Sequence, residues 1–167
     1  IKDKQLPRRL INVIHMLFSI AWRFKLTVGR ISRQKLKGSQ IVVLYHSKIL
    51  LIQNTYRSGY YLPGGGLQRH EQPLDAAVRE LKEETGISVL KAELELVGSF
   101  NYSIDGANIC DWIYQTTLSK KTTTHIDPLE IREAQFIELN TARKLQCQPH
   151  VLNIIKALCI THLVGNE

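Results

Sequence analysis

Apolar residues recur along this chain with two different periods, and each period predicts one kind of element. Five short runs rich in β-branched and aromatic residues predict strands: 41–45, 49–52, 94–102, 108–118 and 134–139. His46-Ser47-Lys48 separates the first pair of runs and Asp105-Gly106 separates the second pair, so both pairs predict hairpins. The polar stretches 54–59 and 119–128 predict loops.

Two other segments carry apolar residues at helical spacing. The first has them at i, i+3, i+4 and i+7: Leu74, Ala77, Val78 and Leu81. Pro73 suits the first turn of this helix, and Gly86 suits the left-handed position just past its end. The segment 149–163 repeats the pattern and predicts a helix that closes the domain, at Val151, Ile154, Ile155 and Leu158. Strands mixed with helices predict an α/β fold class.

The N-terminal segment predicts a basic amphipathic helix. Residues 10–24 are mostly apolar, interrupted by Asn12, His15, Ser19 and Arg23, and they are too few for a membrane span of roughly 20 residues. Residues 1–39 hold ten Lys/Arg and one acid, so their net charge is +9; the other residues hold twelve against fourteen, or −2, which sums to the +7 of the whole chain. Two interpretations stay open for this segment. It contacts an anionic membrane surface or nucleic acid, or it packs on its own domain or on a second copy in a homodimer.

Composition narrows the class of protein. The chain of 167 residues has 44% apolar and 22% charged residues, which is ordinary for one globular domain with an appended segment. Its three cysteines, Cys110, Cys147 and Cys159, form no CxxC pair. A zinc site or a disulfide framework is therefore not expected. We expect a reducing, cytoplasmic location, and the basic segment leaves peripheral membrane attachment as a further option.

Three glutamates on the first predicted helix form an unusual cluster. Glu80, Glu83 and Glu84 lie at i, i+3 and i+4, so all three carboxylates project from one side of the helix. Like charges at this spacing repel, whereas a hard divalent cation such as Mg²⁺ takes carboxylate oxygens as ligands. The loop 62–66 before the helix contains three consecutive glycines, so its backbone can approach a ligand closely. Arg79 can reach Glu83 at i+4 and orient its carboxylate.

The spacing of these residues resembles the signature box of the Nudix hydrolases. The box spans residues 65–87, with fixed residues at Gly65, Glu71, Arg79-Glu80-Leu81, Glu83-Glu84 and Gly86-Ile87. Every fixed position of the pattern is present, which makes the match far more specific than a lone glycine motif. The resemblance implies an α/β/α sandwich around a mixed β-sheet over residues 38–167, preceded by a basic helical extension over 1–37. It also implies a Mg²⁺- or Mn²⁺-dependent enzyme that cleaves the diphosphate of a nucleoside diphosphate linked to another group X.

The resemblance also implies roles for particular residues. Glu80, Glu83 and Glu84 are the candidate catalytic residues and metal ligands, with the Gly65 carbonyl as a backbone ligand. Glu130, which precedes the strand run at 134–139, resembles a further acidic ligand, and an exposed loop carboxylate is the alternative interpretation. Which glutamate acts as general base stays open.

Candidate substrate-binding residues lie just before the box and in its first loop. Arg57 and Arg69 are candidates for the outer phosphates, and Tyr61 is a candidate for stacking on a base. The alternative interpretations are solvated cations and a packing aromatic. Nothing in the sequence selects the group X.

Two features leave the interpretation of function open. His70 occupies a position where the family usually has glycine, so its side chain is expected to affect the backbone angles of the loop. A catalytically silent nucleotide-binding or membrane-associated module with the same fold is the alternative to the hydrolase. Loss of a box glutamate would favour that module, and none is lost.

Overall fold

The predicted runs assemble into a mixed sheet with helices on both sides. The computed structural model describes residues 7–33, 35–120 and 122–164. Its elements in chain order are helix α1 (Arg8–Ser32), strands β1 (Leu36–Tyr45), β2 (Lys48–Asn54) and β3 (Gly64–Gly66), helix α2 (Pro73–Thr85), a 3₁₀ turn (Lys91–Glu93), strands β4 (Glu95–Ile104), β5 (Ala107–Thr117) and β6 (Ile131–Glu138), and helices α3 (Leu139–Ala142) and α4 (Pro149–Val164). Residues 1–6 and 165–167, the outer ends of the predicted extension and domain, lie outside the described residues.

Strand order and direction follow the prediction of a mixed sheet. The order is β4-β5-β1-β2-β6, and β3 pairs with β1 beside this path. β1 and β5 run parallel, whereas the other pairs are antiparallel. A parallel pair needs a long crossover, and here the chain from β1 to β5 includes α2.

Two apolar clusters, one on each face of the sheet, make the sandwich. Val42 and Leu44 of β1 join the cluster that contains Ile155 of α4, whereas Val43 joins the cluster that contains Leu81 of α2. Successive side chains of a strand point to opposite faces, so neighbouring residues of β1 enter different clusters. Each of these aliphatic side chains is at most 5% exposed, and full burial of one contributes about 1.5–3 kcal/mol. The predicted α/β/α arrangement is confirmed.

The predicted turn and helix ends are also present. Asp105 and Gly106 join β4 to β5 with φ values of 49° and 80°, as a tight hairpin turn between right-twisted strands requires. α2 begins at Pro73, and the N–H of Gly86 (φ 72°) donates to the Lys82 carbonyl at 2.9 Å. This bond satisfies one of the free carbonyls at the helix end.

α1 is longer than the apolar run that predicted it, and it packs on its own domain. Leu26 is 3% exposed and forms a third apolar cluster with Ala107 and Ile109 of β5. A Cβ on Gly29 would lie 3.0 Å from the Leu36 side chain, so the helix approaches β1 closely at this glycine. Within the described ranges, none of the helices has the length and apolar character needed to cross a bilayer.

Candidate active site

Helix α2 directs two of the three glutamates toward strand β3. Glu84 is 4% exposed, and its Oε2 accepts the Gly64 N–H at 2.7 Å. The carboxylate of Glu80 lies against the backbone of Gly65, where a Cβ would be 2.5 Å from its Oε1. Glu83 lies on the outer side, with its side chain 58% exposed. The α2–β3 junction therefore has one buried carboxylate, one half-buried carboxylate and one exposed carboxylate.

Glycine is required in this loop because other atoms occupy the space of a side chain. A Cβ on Gly64, whose φ is 151°, would overlap the Ser39 carbonyl oxygen on the paired strand. A Cβ on Gly38 of β1 would overlap the Asp111 carboxylate and would lie 2.9 Å from the Gly65 carbonyl oxygen. The glycines thus let two strands and two carboxylates meet around one short backbone segment.

Arg79 connects the acidic residues of the box. Its Nε and Nη2 donate to the two carboxylate oxygens of Glu71 at 2.8 and 2.9 Å, which is a bidentate pair. Its Nη1 donates to Glu80 Oε1 at 2.8 Å and to Glu83 Oε2 at 2.9 Å. Glu71 also accepts the Gln68 N–H at 2.8 Å and so holds the loop. The predicted contact between Arg79 and Glu83 is present.

Burial sets the electrostatics of the acidic cluster. Burial raises the pKa of Glu84 well above its ordinary value, although the Gly64 N–H bond partly offsets this rise. Burial also raises the pKa of Glu80, against the lowering effect of Arg79. The pKa of Glu130 is raised by burial too, and also by the charges of Asp127 and Glu83. The charge of Glu130 in turn raises the pKa of Glu80 and of Glu84. A cation bound among these oxygens would offset both the cost of burying their negative charges and the repulsion between them.

The side chains are not yet arranged around a cation. Among the described residues, no three His, Cys, Asp or Glu side chains are grouped to hold a metal ion. The pairing of Arg79 with Glu80 and Glu83 accounts for part of this, since it holds both carboxylates toward the guanidinium.

A cavity of about 200 Å³ opens beside β3 and joins elements that are distant in sequence. Its lining includes Gly65 and Glu80 from the box, Glu130 from the segment before β6, and Arg57 and Tyr61 from the loop after β2. Among the candidate substrate-binding residues, Arg69 is exposed and is not part of the lining. The structure therefore brings Glu80, Glu130, Arg57 and Tyr61 to one cavity.

Helix α1 supplies a wall of this cavity that the sequence did not reveal. Trp22 and Lys25 line the cavity, and the guanidinium carbon of Arg57 lies 4.5 Å from the Trp22 ring centroid. The same guanidinium lies 4.4 Å from the Tyr61 ring centroid, so it is held between two aromatic rings. Phe18 of α1 stacks on Tyr56 at 5.9 Å. The signal available in the sequence was the i, i+4 spacing of the aromatic residues Phe18 and Trp22 on one side of α1.

Arg57 has an unused donor in this cavity. Its Nη2 donates to Asn54 Oδ1 at 3.0 Å, but its Nε is buried and has no hydrogen-bond partner among the described residues. A buried guanidinium N–H without an acceptor is costly, and Nε is too enclosed for a ligand oxygen to reach it unless the loop rearranges. Tyr56 donates to Glu130 Oε1 at 3.4 Å and thereby ties the Arg57 loop to the acidic cluster.

A buried polar network forms the opposite wall. Asp111 of β5 is 5% exposed and accepts hydrogen bonds from Tyr102 at 2.6 Å and from Gln40 at 2.5 Å. Burial raises the pKa of Asp111, while these two bonds partly lower it. His150 stacks on Tyr102 at 4.4 Å, and burial lowers its pKa to about 4. Asp111 was detectable in the sequence as an acid at an inward position of a strand whose other inward residues are apolar.

His70 adopts the left-handed conformation that favours glycine. Its φ is 65°, and its side chain is exposed. The loop therefore keeps a positive φ at this position and carries the strain of a non-glycine residue, of about 1–2 kcal/mol.

Comparisons with known proteins agree with this geometry. A family model described as the NUDIX domain matches residues 35–158. The chain is 29% identical over 136 residues to a probable DHNTP pyrophosphohydrolase of Lactococcus lactis subsp. cremoris, which covers 78% of this chain and 75% of that relative. It is 30% identical over 114 residues to the uncharacterised Nudix hydrolase YvcI of Bacillus subtilis, with 65% of this chain and 71% of the relative covered.

A solved structure shows the same fold at lower identity. The NUDIX domain of Shewanella oneidensis NrtR, complexed with ADP ribose, is 16% identical to the chain and gives a TM-score of 0.66 over 78% of this chain and 89% of that one. The chain therefore belongs to the Nudix family of hydrolases, enzymes that act on phosphorus-containing acid anhydrides.

Proposed function

We propose that this chain is a Mg²⁺- or Mn²⁺-dependent pyrophosphohydrolase that cleaves the diphosphate of a nucleoside diphosphate linked to another group X. The observation that carries the proposal is that Glu80, Gly65, Glu130 and Arg57 line one cavity, which brings carboxylates and a guanidinium to the same space. A diphosphate bridged by a cation to the carboxylates matches both kinds of group. ADP ribose, the ligand of the NrtR domain, is a compound of this class.

The donor set fits a hard divalent cation. We propose the carboxylates of Glu80, Glu83, Glu84 and Glu130 and the Gly65 carbonyl as its ligands, all of which supply oxygen atoms. The bound cation would screen the phosphate charge and lower the pKa of a water molecule. The cation would also stabilise the charged forms of the buried, mutually repelling carboxylates.

The chain's own groups have separate tasks in this proposal. Arg79 orients the carboxylates of Glu71, Glu80 and Glu83 through its hydrogen bonds. A carboxylate among Glu80, Glu83 and Glu84 that is not used as a ligand would accept the proton of the attacking water. The guanidinium of Arg57, which lines the cavity, would donate to a phosphate oxygen.

We propose Trp22 and Tyr61 as the surfaces on which the base or the group X packs. Both rings line the cavity and flank Arg57, and aromatic faces stack on bases without selecting one base. Lys25 adds a second cation to the same wall. A contact between Arg69 and the outer phosphates remains a prediction. Because Arg69 lies outside the cavity lining, this contact requires a substrate that extends over the loop.

Glu84→Gln tests the assignment. Glutamine keeps an oxygen that can accept the Gly64 N–H, so we expect the fold to remain and the unfolding temperature not to fall. Loss of the negative charge should reduce kcat by about 10²- to 10⁴-fold and weaken Mn²⁺ binding in calorimetry. Glu95→Gln, at an exposed position of β4, is the matched control and should change neither quantity. Full turnover by the Glu84 variant would show that the roles are wrong.

Trp22→Ala tests the contribution of α1. Removal of a stacking ring is expected to raise KM about tenfold with little change in kcat, because none of the proposed metal ligands lies on α1. Phe24→Ala removes a ring of the same helix that is 68% exposed and should leave both constants unchanged. A screen of ADP ribose, nucleotide sugars and nucleoside triphosphates with Mg²⁺ or Mn²⁺ should precede this experiment and identify X. Equal KM values for the two variants would show that the Trp22 ring does not contribute to substrate binding.

Other predictions remain proposals. We propose a reducing, cytoplasmic location, which the three free thiols of Cys110, Cys147 and Cys159 support. The division into an extension over 1–37 and a catalytic domain over 38–167 also stays a prediction, and so does a homodimer.

A further inference from the structure

Helix α1 has two apolar sides, and only one of them is packed. Trp22, Leu26 and Gly29 face the domain and join the third apolar cluster or approach Leu36. Eight large apolar side chains of α1 are instead between 43% and 74% exposed: Leu10, Val13, Met16, Leu17, Ile20, Phe24, Val28 and Ile31. We call these eight residues the outer stripe. A turn of 100° per residue puts the centre of the outer stripe on the side of α1 opposite the packed residues.

The outer stripe is too regular and too long to be scattered surface residues. Apart from the adjacent pair Met16 and Leu17, its members follow one another at spacings of three or four residues, so they form one continuous apolar face over about six turns of the helix. A contiguous exposed apolar face marks an interaction surface in a monomeric protein. The described domain offers no element that covers it.

The charges of α1 indicate what chemistry the outer stripe meets. α1 contains five Lys/Arg and no Asp or Glu. Arg9, Arg23 and Arg30 are exposed and lie along one edge of the outer stripe on the same helical projection. Pairing with α1 of a second copy would bring ten cations together without an acid, which is unfavourable. An anionic surface is favoured instead.

We propose that the outer stripe of α1 docks on an anionic membrane surface, with the helix lying in the plane of the headgroups. A lipid surface uses both features at once, since the acyl boundary takes the apolar side chains and the anionic headgroups take the arginines. Nucleic acid would engage the cations but would leave eight large apolar side chains in water. Because Trp22 and Lys25 line the cavity from the inner side of α1, docking brings the cavity within about one helix diameter, ~10 Å, of the headgroups.

Vesicle co-sedimentation of the full chain tests this proposal. The vesicles are phosphatidylcholine alone and an equal mixture of phosphatidylcholine with phosphatidylglycerol. Each cation near an anionic surface strengthens partitioning about fivefold, so three should make binding to the mixed vesicles about a hundredfold stronger than to the neutral vesicles. High salt should remove most of this difference.

Matched variants separate the outer stripe from a general charge effect. Leu17→Glu with Ile20→Glu adds two carboxylates at positions that are each 54% exposed, and binding to mixed vesicles should fall at least about tenfold. Leu96→Glu with Ile160→Glu adds the same charge at positions 58% and 63% exposed on β4 and α4, and binding should fall less than about threefold. Circular dichroism before sedimentation confirms that each variant is folded.

Three results would overturn the proposal. The first is binding to neither vesicle by the unmodified chain. The second is an equal loss of binding in both double variants. The third is a chain that stays in the supernatant when the vesicles sediment and that uses the outer stripe for another partner. That partner would be a second copy, if Leu17→Glu with Ile20→Glu converts a dimer to a monomer in size-exclusion chromatography, or RNA, if the same variant abolishes RNA binding.

Discussion

Gly65→Ala should disable the enzyme without unfolding it. A Cβ at Gly65 would lie 2.5 Å from both the carboxyl carbon and the Oε1 of Glu80. Non-bonded heavy atoms are in ordinary contact at about 3.5 Å, so the carboxylate must move by about 1 Å. The backbone at residue 65 is not one of the positive-φ glycines, so alanine adds no conformational strain there.

The expected effect on rate is much larger than the effect on stability. A displacement of about 1 Å at a group that positions the reaction costs roughly 10²-fold in rate, and we expect kcat to fall by that factor. Because the Glu80 side chain can rotate, the methyl group should lower the free energy of unfolding by only about 1 kcal/mol. Affinity for Mn²⁺ should weaken in parallel with kcat, since Glu80 is proposed both as a metal ligand and as a catalytic residue.

Steady-state kinetics, Mn²⁺ calorimetry and urea unfolding measure these three quantities. Gly66→Ala is the matched control on the same strand, because its methyl group would meet mainly the flexible end of Lys25, at 2.5 Å from Nζ. That variant should change KM rather than kcat, since Lys25 lies on the substrate wall. A Gly65→Ala enzyme with unchanged kcat would refute the reasoning, and an equal loss of kcat in both variants would attribute it to the loop as a whole.

Two further predictions concern stability. His70→Gly should raise the free energy of unfolding by about 0.5–1 kcal/mol in urea, because the left-handed strain of about 1–2 kcal/mol exceeds the entropy that glycine adds to the unfolded chain; His70→Ala should give no gain. His150 has its pKa lowered to about 4 by burial, so its stabilising effect is present above pH 6.5 and is lost as pH falls through 4. Between pH 7 and pH 5 this loss amounts to about 2 kcal/mol, and His150→Gln should show a pH slope smaller by that amount in urea titrations. An identical slope in both proteins would show that His150 is not buried as a neutral ring.

The parts of the fold that the sequence predicted are those with local causes. Pro73, an apolar face and Gly86 predict helix α2 from within one segment, and the structure has each of these in its predicted role. The β4–β5 hairpin likewise follows from Asp105-Gly106. In both cases the residues that fix the backbone are neighbours in the chain, so no knowledge of tertiary packing was needed.

The elements that the sequence missed depend on partners far along the chain. Strand β3 consists of three glycines and has no apolar alternation, and it exists because Gly64–Gly66 pairs with residues 38–40. Pairing with β5 likewise extends β1 back to Leu36, before the apolar run that predicted the strand. Glycine has a low intrinsic preference for strands, so only the tertiary contact makes this segment extended.

The candidate site divides in the same way, and this division bears on how the enzyme selects its substrate. Three of the four carboxylates proposed for the metal, Glu80, Glu83 and Glu84, share one helix and one signature, so the sequence indicated them directly. The wall proposed for the base or X is built by Trp22 of α1 and by Arg57 and Tyr61 of the loop after β2, which meet only in the folded protein. Changes to that wall leave α2 intact, so substrate choice can vary while the hydrolytic chemistry is kept. Because α1 carries both this wall and the outer stripe, a surface that binds α1 would act on the substrate side of the cavity rather than on the metal side.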